Sequence, residues 1–191
     1  MKAKFNIAMI GGRGYVGQEI IHILNEHPYF DLLKIYSKSS AGDPVSEYKK
    51  LNLTYSLLES SDIDLDEIDI VIMALPNNDS FKYLDIINKN YSDITVIDLS
   101  SDFRFDADWQ YRLPEITKEK ATNRISNPGC YATAIQLSIT PIKHLIEGSV
   151  SCMGISGYSG AGASPNDKNN PDNLKDNIIP YSLSNHIHEH E

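Results

Sequence analysis

Near the N-terminus, a six-residue apolar run, FNIAMI at 5–10, stops at Gly11 and Gly12, and YVGQEIIHILNEH at 15–27 then repeats its apolar residues at helical spacing. The order is strand, glycine turn, helix. Within GGRGYVG, Gly12, Gly14 and Gly17 spell GxGxxG, and Gly11, Gly14 and Gly17 spell GxxGxxG. Such a motif is common by itself; between a strand and a helix it has the context that a dinucleotide site requires. The glycines permit a tight turn and let backbone N–H groups approach a pyrophosphate, which then rests on the positive end of the helix. A tight turn that binds nothing is the competing reading.

Further along, DLLKIYS at 31–37, IDIVIMALP at 68–76 and ITVIDLS at 94–100 read as strands. The unbroken apolarity of the 68–76 run is that of a strand covered on both faces. NNDSFKYLDIINKNY at 77–91 has helical spacing, with Asp79 or Ser80 available as N-cap. Strands alternating with helices predict an α/β fold of the Rossmann type, a doubly wound parallel sheet. A site selective for NAD usually ends its second strand in Asp or Glu, whereas IYSKSSAG offers Ser37, Lys38, Ser39 and Ser40. Hydroxyls and a cation suit a 2′-phosphate, so NADP is the expected cofactor. The acidic stretch at 59–69 matches no calcium-loop spacing and reads as a solvated loop; the Asn-, Asp-, Lys- and Pro-rich stretch at 166–180 reads as an exposed one.

Cys130 follows Asn-Pro-Gly and opens the helical run CYATAIQLSI, where helix-terminal N–H groups and the dipole favour a thiolate. Local chemistry leaves it open between nucleophile and packing residue, because free cysteines are often inert core residues. IDLSSDFR ends a predicted strand with Arg104 at the sheet edge where open α/β sheets bind ligands; Arg104 clamps a phosphate or carboxylate there, or is merely solvated. SGYSGAGASP at 156–165 is either a flexible connection or a loop whose backbone approaches a ligand. In NHIHEHE the alternation of His186, His188 and His190 would align all three on one face of an extended segment. Zinc ligation, acid–base work for a distant cysteine, and exposed terminal histidines are the three readings.

Composition removes several classes. A net charge of −9 argues against nucleic-acid binding, and 41% hydrophobic with 23% charged residues suits a globular chain with a core. The N-terminal apolar stretch is too short for a membrane span or a signal peptide, so no membrane association and a cytoplasmic location are expected. Cys130 and Cys152 have no CxxC spacing and are expected as free thiols.

Taken in order, GGRGYVG, ALP, IDLSSDFR, LPE, SNPGCYATA, SGYSGAG and HIHEHE resemble the N-acetyl-gamma-glutamyl-phosphate reductase family, NADP-dependent reductases of arginine biosynthesis. The NPGCY context of Cys130 followed by SGxSGAG is the most specific part. The resemblance implies Cys130 as nucleophile and a histidine of an HxHxxE segment, His186 or His188, as acid and base. It implies cofactor contacts from Gly11, Gly12, Arg13, Gly14, Tyr15, Val16 and Gly17, from Ser37, Lys38 and Ser39, from Leu75 and Pro76, and from Ser159, Gly160, Ala161 and Gly162. Substrate contacts would come from Arg104, Asn127 and Ser156, with no metal. The implied chemistry is NADPH-dependent reduction of a small acyl phosphate through a cysteine thioester. Glu189 and His190 stand where the family commonly has Thr and Pro, and Asn77 where it often has His. Family members are longer. Residues 1–147 are therefore expected to form an NADP-binding domain that includes the Cys130 helix, and 148–191 the beginning of an α+β catalytic and dimerisation domain, homo-oligomeric at full length. Aspartate-semialdehyde dehydrogenase, the aminoadipate-pathway reductase and a non-catalytic redox module are the alternatives.

Overall fold

The computed structural model describes residues 4–59, 63–118, 122–183 and 186–191. The chain forms two compact units, Met1–Arg112 with Glu119–Asn127, and Leu113–Lys118 with Pro128–Glu191. This division falls at Asn127/Pro128, ahead of the 147/148 boundary expected from the sequence, and it groups the Cys130 helix with the second unit.

In the first unit β1 (Phe5–Ile10), β2 (Phe30–Ser37), β3 (Ser56–Leu57), β4 (Ile70–Met73), β5 (Thr95–Asp98), β6 (Gln110–Tyr111) and β7 (Arg124–Ser126) form one parallel sheet in the order β3-β2-β1-β4-β5-β7-β6. Helix α1 (Tyr15–Glu26) follows β1, and α2 (Ser80–Asn90) follows β4. Alternation along the strands sends side chains to opposite faces. Ile7 and Met9 of β1 join Leu32, Ile35 and Ile72 against Ile21 and Leu24 of α1. Ala8 and Ile10 join Val71, Met73 and Val96 against Tyr83 and Ile87 of α2, with Phe103 and Trp109 closing that side. The sheet is thus wound on both faces, as expected.

Several local expectations change. The 68–76 run is a strand only at Ile70–Met73, flanked by backbone bonds from Asp69 N–H to Asn6 O and from Ala74 N–H to Ile10 O, while the Asp69 carboxylate accepts the Asn6 N–H. Strands β3, β6 and β7 have two or three residues, too few to show a period. The acidic stretch is not merely solvated: Ile63, Leu65 and Ile68 alternate with its carboxylates and are buried in the core. Lys34, which donates to Asp64 at 2.6 Å, holds that carboxyl below its ordinary range.

Helix α2 is not capped by its neighbours. Asp79 occupies the N-cap position without a side-chain hydrogen bond, and its carboxylate faces Lys82 at 3.3 Å and Lys38 at 3.8 Å instead. The cap comes from Asp102, in the loop after β5, which accepts the N–H of Asn78 at 2.7 Å and of Ser80 at 3.2 Å. Beneath it the fully buried Asp98 accepts the hydroxyls of Ser80 at 2.7 Å and Ser100 at 2.6 Å. Burial pushes the Asp98 carboxyl above its ordinary value, with the two hydroxyls working against the rise.

Two outcomes follow. Asp102→Ala is expected to cost about 1 kcal/mol, within the range of lost caps, whereas Asp79→Ala should stay within about 0.5 kcal/mol in the same urea titration. Because the folded state holds the Asp98 proton more tightly than the unfolded chain does, the stability this group contributes is full below the ordinary carboxyl pKa and is lost as pH rises through the native value. Asp98→Asn, which cannot ionise, should therefore gain on the wild type as pH rises above the ordinary carboxyl range; a difference that stays flat with pH would refute the upward shift.

Candidate active site

At the end of β1, Gly11 adopts φ +87°, in the left-handed region that favours glycine, and donates its N–H to Tyr36 O at 2.9 Å. A Cβ on Gly11 would stand 2.5 Å from Ala74 O, at the crevice between β1 and β4 where the strand order reverses. A Cβ on Gly17 would stand 2.5 Å from Gly12 O, so α1 lies directly on the turn. Gly14 differs: it is the N-cap of α1, with ordinary φ −65° and nothing within 4 Å of its Cβ position. No side chain caps this helix and no acidic residue occupies its first turn, while Tyr15 and Val16 are exposed. An open glycine at an uncapped positive helix end fits a dinucleotide pyrophosphate.

Around that turn, Arg13 Nη1 donates to Ser39 Oγ at 2.9 Å, joining two of the expected cofactor segments. The buried Ser37 hydroxyl accepts the N–H groups of Ser39 and Ser40, which bends the chain and presents Lys38 and Ser39 outward. Leu75 packs against the core and Pro76 is exposed. Arg104 is tethered: its Nε donates to Asn127 O at 3.0 Å and its Nη2 to Leu99 O at 3.4 Å, while Asn127 N–H donates to Asp98 O at 2.8 Å.

In the second unit, Cys130 is the exposed first residue of α3 (Cys130–Ile139), with Gly129 as N-cap. A Cβ on Gly129 would stand 2.1 Å from His188 Nε2, so the missing side chain is what lets the imidazole lie against the helix start. The Gly129 N–H donates to Glu191 Oε2 at 2.8 Å, and Glu191 Oε1 lies 3.8 Å from His188 Nε2. His186 Nδ1 accepts the His188 N–H at 3.1 Å, and the two rings are 4.4 Å apart. Tyr131 lies 5.5 Å from the His186 ring and 5.8 Å from that of His188. Tyr181 donates its hydroxyl to that of Tyr131 at 2.9 Å; burial first, then Tyr131 and Cys130, push the Tyr181 phenol up to about 12, so it stays a neutral donor.

The histidine segment is therefore not extended. Residues Ile187–Glu189 form a 3₁₀ turn that pairs His186 with His188 and leaves His190 exposed. The glycine loop also has defined structure: Tyr158–Ala161 is a 3₁₀ turn, Ser156 Oγ sits where a Cβ on Gly160 would be, and Gly162 has φ +85°. Asn166 and Asn169 donate to the carbonyls of Ala161, Gly162 and Ser164, and Pro171–Leu174 forms a short helix, α4, inside the stretch expected to be loop. Among the described residues no group of three or more His, Cys, Asp or Glu side chains is placed to hold a metal ion.

A parallel sheet of this order, with its glycine turn at the reversal point, defines a dinucleotide-binding α/β protein. Residues 6–124 match the family described as "Semialdehyde dehydrogenase, NAD binding domain", and residues 130–191 match "Semialdehyde dehydrogenase, dimerisation domain". The chain belongs to the semialdehyde dehydrogenase family. It is 43% identical to the N-acetyl-gamma-glutamyl-phosphate reductase of Xylella fastidiosa (strain M23) over 99% of its own length and 59% of that protein. It is 44% identical to the protein of the same name from Xanthomonas campestris pv. campestris (strain 8004), over 97% of this chain and 60% of the other. The chain thus spans about 60% of the length of these relatives. Among solved structures it resembles aspartate semialdehyde dehydrogenase II of Vibrio cholerae in complex with ASA, with a TM-score of 0.66 and 25% identity over 84% of this chain and 48% of that one. The fold is also that of the Candida albicans aspartate semialdehyde dehydrogenase with NADP, at a TM-score of 0.59 and 16% identity over 74% of this chain and 47% of that one.

The two glycines of α1 should separate under mutation. Gly17→Ala, which meets backbone, is expected to cost roughly 1–3 kcal/mol in thermal or urea unfolding. Gly14→Ala should cost under about 1 kcal/mol yet weaken dinucleotide binding at least about tenfold by calorimetry. Unchanged binding would mean that the open space beside Gly14 is not where the nucleotide lies.

Proposed function

We propose that the protein is an NADPH-dependent N-acetyl-gamma-glutamyl-phosphate reductase, and that this chain supplies its cofactor-binding and nucleophile-bearing parts. The observation that carries the reading is the grouping of His188 and Glu191 around Gly129, the residue before a cysteine that opens a helix. Relatives carrying this enzyme's name over almost the whole chain support the substrate.

The Cys130 thiolate attacks the acyl carbon of N-acetyl-glutamyl 5-phosphate; the S–C bond forms, the C–O bond to phosphate breaks and inorganic phosphate leaves. Bound NADPH supplies hydride to the carbon of the resulting thioester. His188 protonates the oxygen as it gains charge, then takes that proton back as the C–S bond breaks, releasing N-acetyl-glutamate 5-semialdehyde and the thiolate. His186 accepts the His188 backbone N–H and so holds the turn in which His188 sits. Arg104, a cation fixed by two carbonyls at the carboxyl end of the sheet, is the proposed partner of the departing phosphate, with Asn127 and Ser156 as further substrate contacts. Residues Gly11 to Gly17 hold the pyrophosphate and Arg13, Lys38 and Ser39 the 2′-phosphate; β2 ends in Ser37 and not in an acidic residue. Leu75, Pro76 and the 159–162 turn complete the proposed cofactor contacts.

The protein works as a homo-oligomer in the cytoplasm. Support for the first comes from the matched dimerisation region and from Met153, Ile155, Ile178 and Leu183, which are more than three-quarters exposed in the second unit. Support for the second comes from the two unpaired, exposed thiols Cys130 and Cys152.

Cys130→Ser in the full-length protein is expected to abolish NADPH oxidation by N-acetyl-glutamyl phosphate while leaving NADPH binding within about twofold. Aspartyl phosphate assayed beside it should turn over at a small fraction of the rate. Turnover by the serine variant would remove Cys130 from the mechanism, and preference for aspartyl phosphate would move the assignment within the family.

A further inference from the structure

We infer that Glu191 is a positioning residue for the acid–base step, its carboxylate joining the amide ahead of Cys130 to the imidazole of His188. The inference rests on the reading of His188 as acid and base given above. The Glu191 side chain has no exposed surface, and a carboxylate in that setting persists only where it is paired or hydrogen-bonded. One oxygen is taken by the Gly129 N–H at 2.8 Å; the other faces His188 Nε2 at 3.8 Å. The imidazole in turn fills the space that a side chain on Gly129 would occupy. The three groups therefore lock one another: the helix start fixes the carboxylate, the carboxylate flanks the ring, and the ring is held against the helix start beside Cys130.

A carboxylate that only capped α3 would account for the bond to Gly129, and would act on stability without regard to His188. A positioning carboxylate acts through the ring, so its effect must vanish when the ring is gone. The two roles separate in a double-mutant cycle on the full-length protein, with Glu191→Ala, His188→Ala and the pair. Glu191→Ala is expected to lower kcat by roughly ten- to a hundredfold with KM changed less than about threefold, and to lower kcat less than about threefold further in the His188→Ala background. Glu191→Gln, which keeps an oxygen for the Gly129 N–H, should recover part of the loss, and it replaces Glu191→Ala in the cycle if the alanine variant does not fold. Equal losses in both backgrounds, or wild-type kcat in Glu191→Ala, would overturn the positioning role and leave the proposed function standing. Wild-type kcat in His188→Ala would overturn the acid–base assignment itself, and this inference with it.

Discussion

The contact between α1 and the turn beneath it allows no side chain. With 2.5 Å between Gly12 O and the place where a Cβ on Gly17 would be, the helix rests its first turns on the end of β1. That closeness aims Ile21 and Leu24 at Ile7 and Met9, and it presents the uncapped helix end at the crevice between β1 and β4. Position 14 then stays bare for a different reason, since its own backbone and surroundings would accept alanine. Steric exclusion inside the protein and open space outside it thus put the same residue type at neighbouring positions.

The apolar core orders the strands but does not place the loops at their carboxyl ends. Polar groups do that. Asp102 holds the start of α2, Asn77 Oδ1 accepts the Ser101 N–H at 3.0 Å, and buried Asp98 collects two hydroxyls and, through its backbone oxygen, the Asn127 N–H. Arg104 ties the same loop to Asn127 O. The buried Asp98 carboxyl thus ties the start of α2 and the loop after β5 to the end of β5 through the Ser80 and Ser100 hydroxyls. Asn77, a departure from the resembled family, bonds to the same loop.

Local patterns in the chain disclosed β1, the glycine turn, α1, the two-faced β4 region and the helix that Cys130 opens, because each is a contiguous run with its own period or turn. The capping of α2 was not legible: the carboxylate that provides it is 22 residues from Ser80, and two nearer candidates looked adequate. The 3₁₀ turn at 187–189 escaped an alternation argument because His186 Nδ1 bonds the His188 N–H and curls the segment. Tyr131, Tyr181 and Glu191 carried no local signal, since the contacts that gather them span 50 and 62 residues. The HxHxxE spacing in the resembled family was the one hint toward Glu191.

The separation between Cys130 and His188 also has a meaning in time. Their 58-residue spacing (188 − 130) means that a ribosome adding roughly 5–20 residues per second completes the helix start about 3 to 12 seconds before the imidazole that lies against it exists. During that interval Gly129 is an unfilled notch at the helix start. The helix start is thereby left bare until synthesis has passed the segment that covers it.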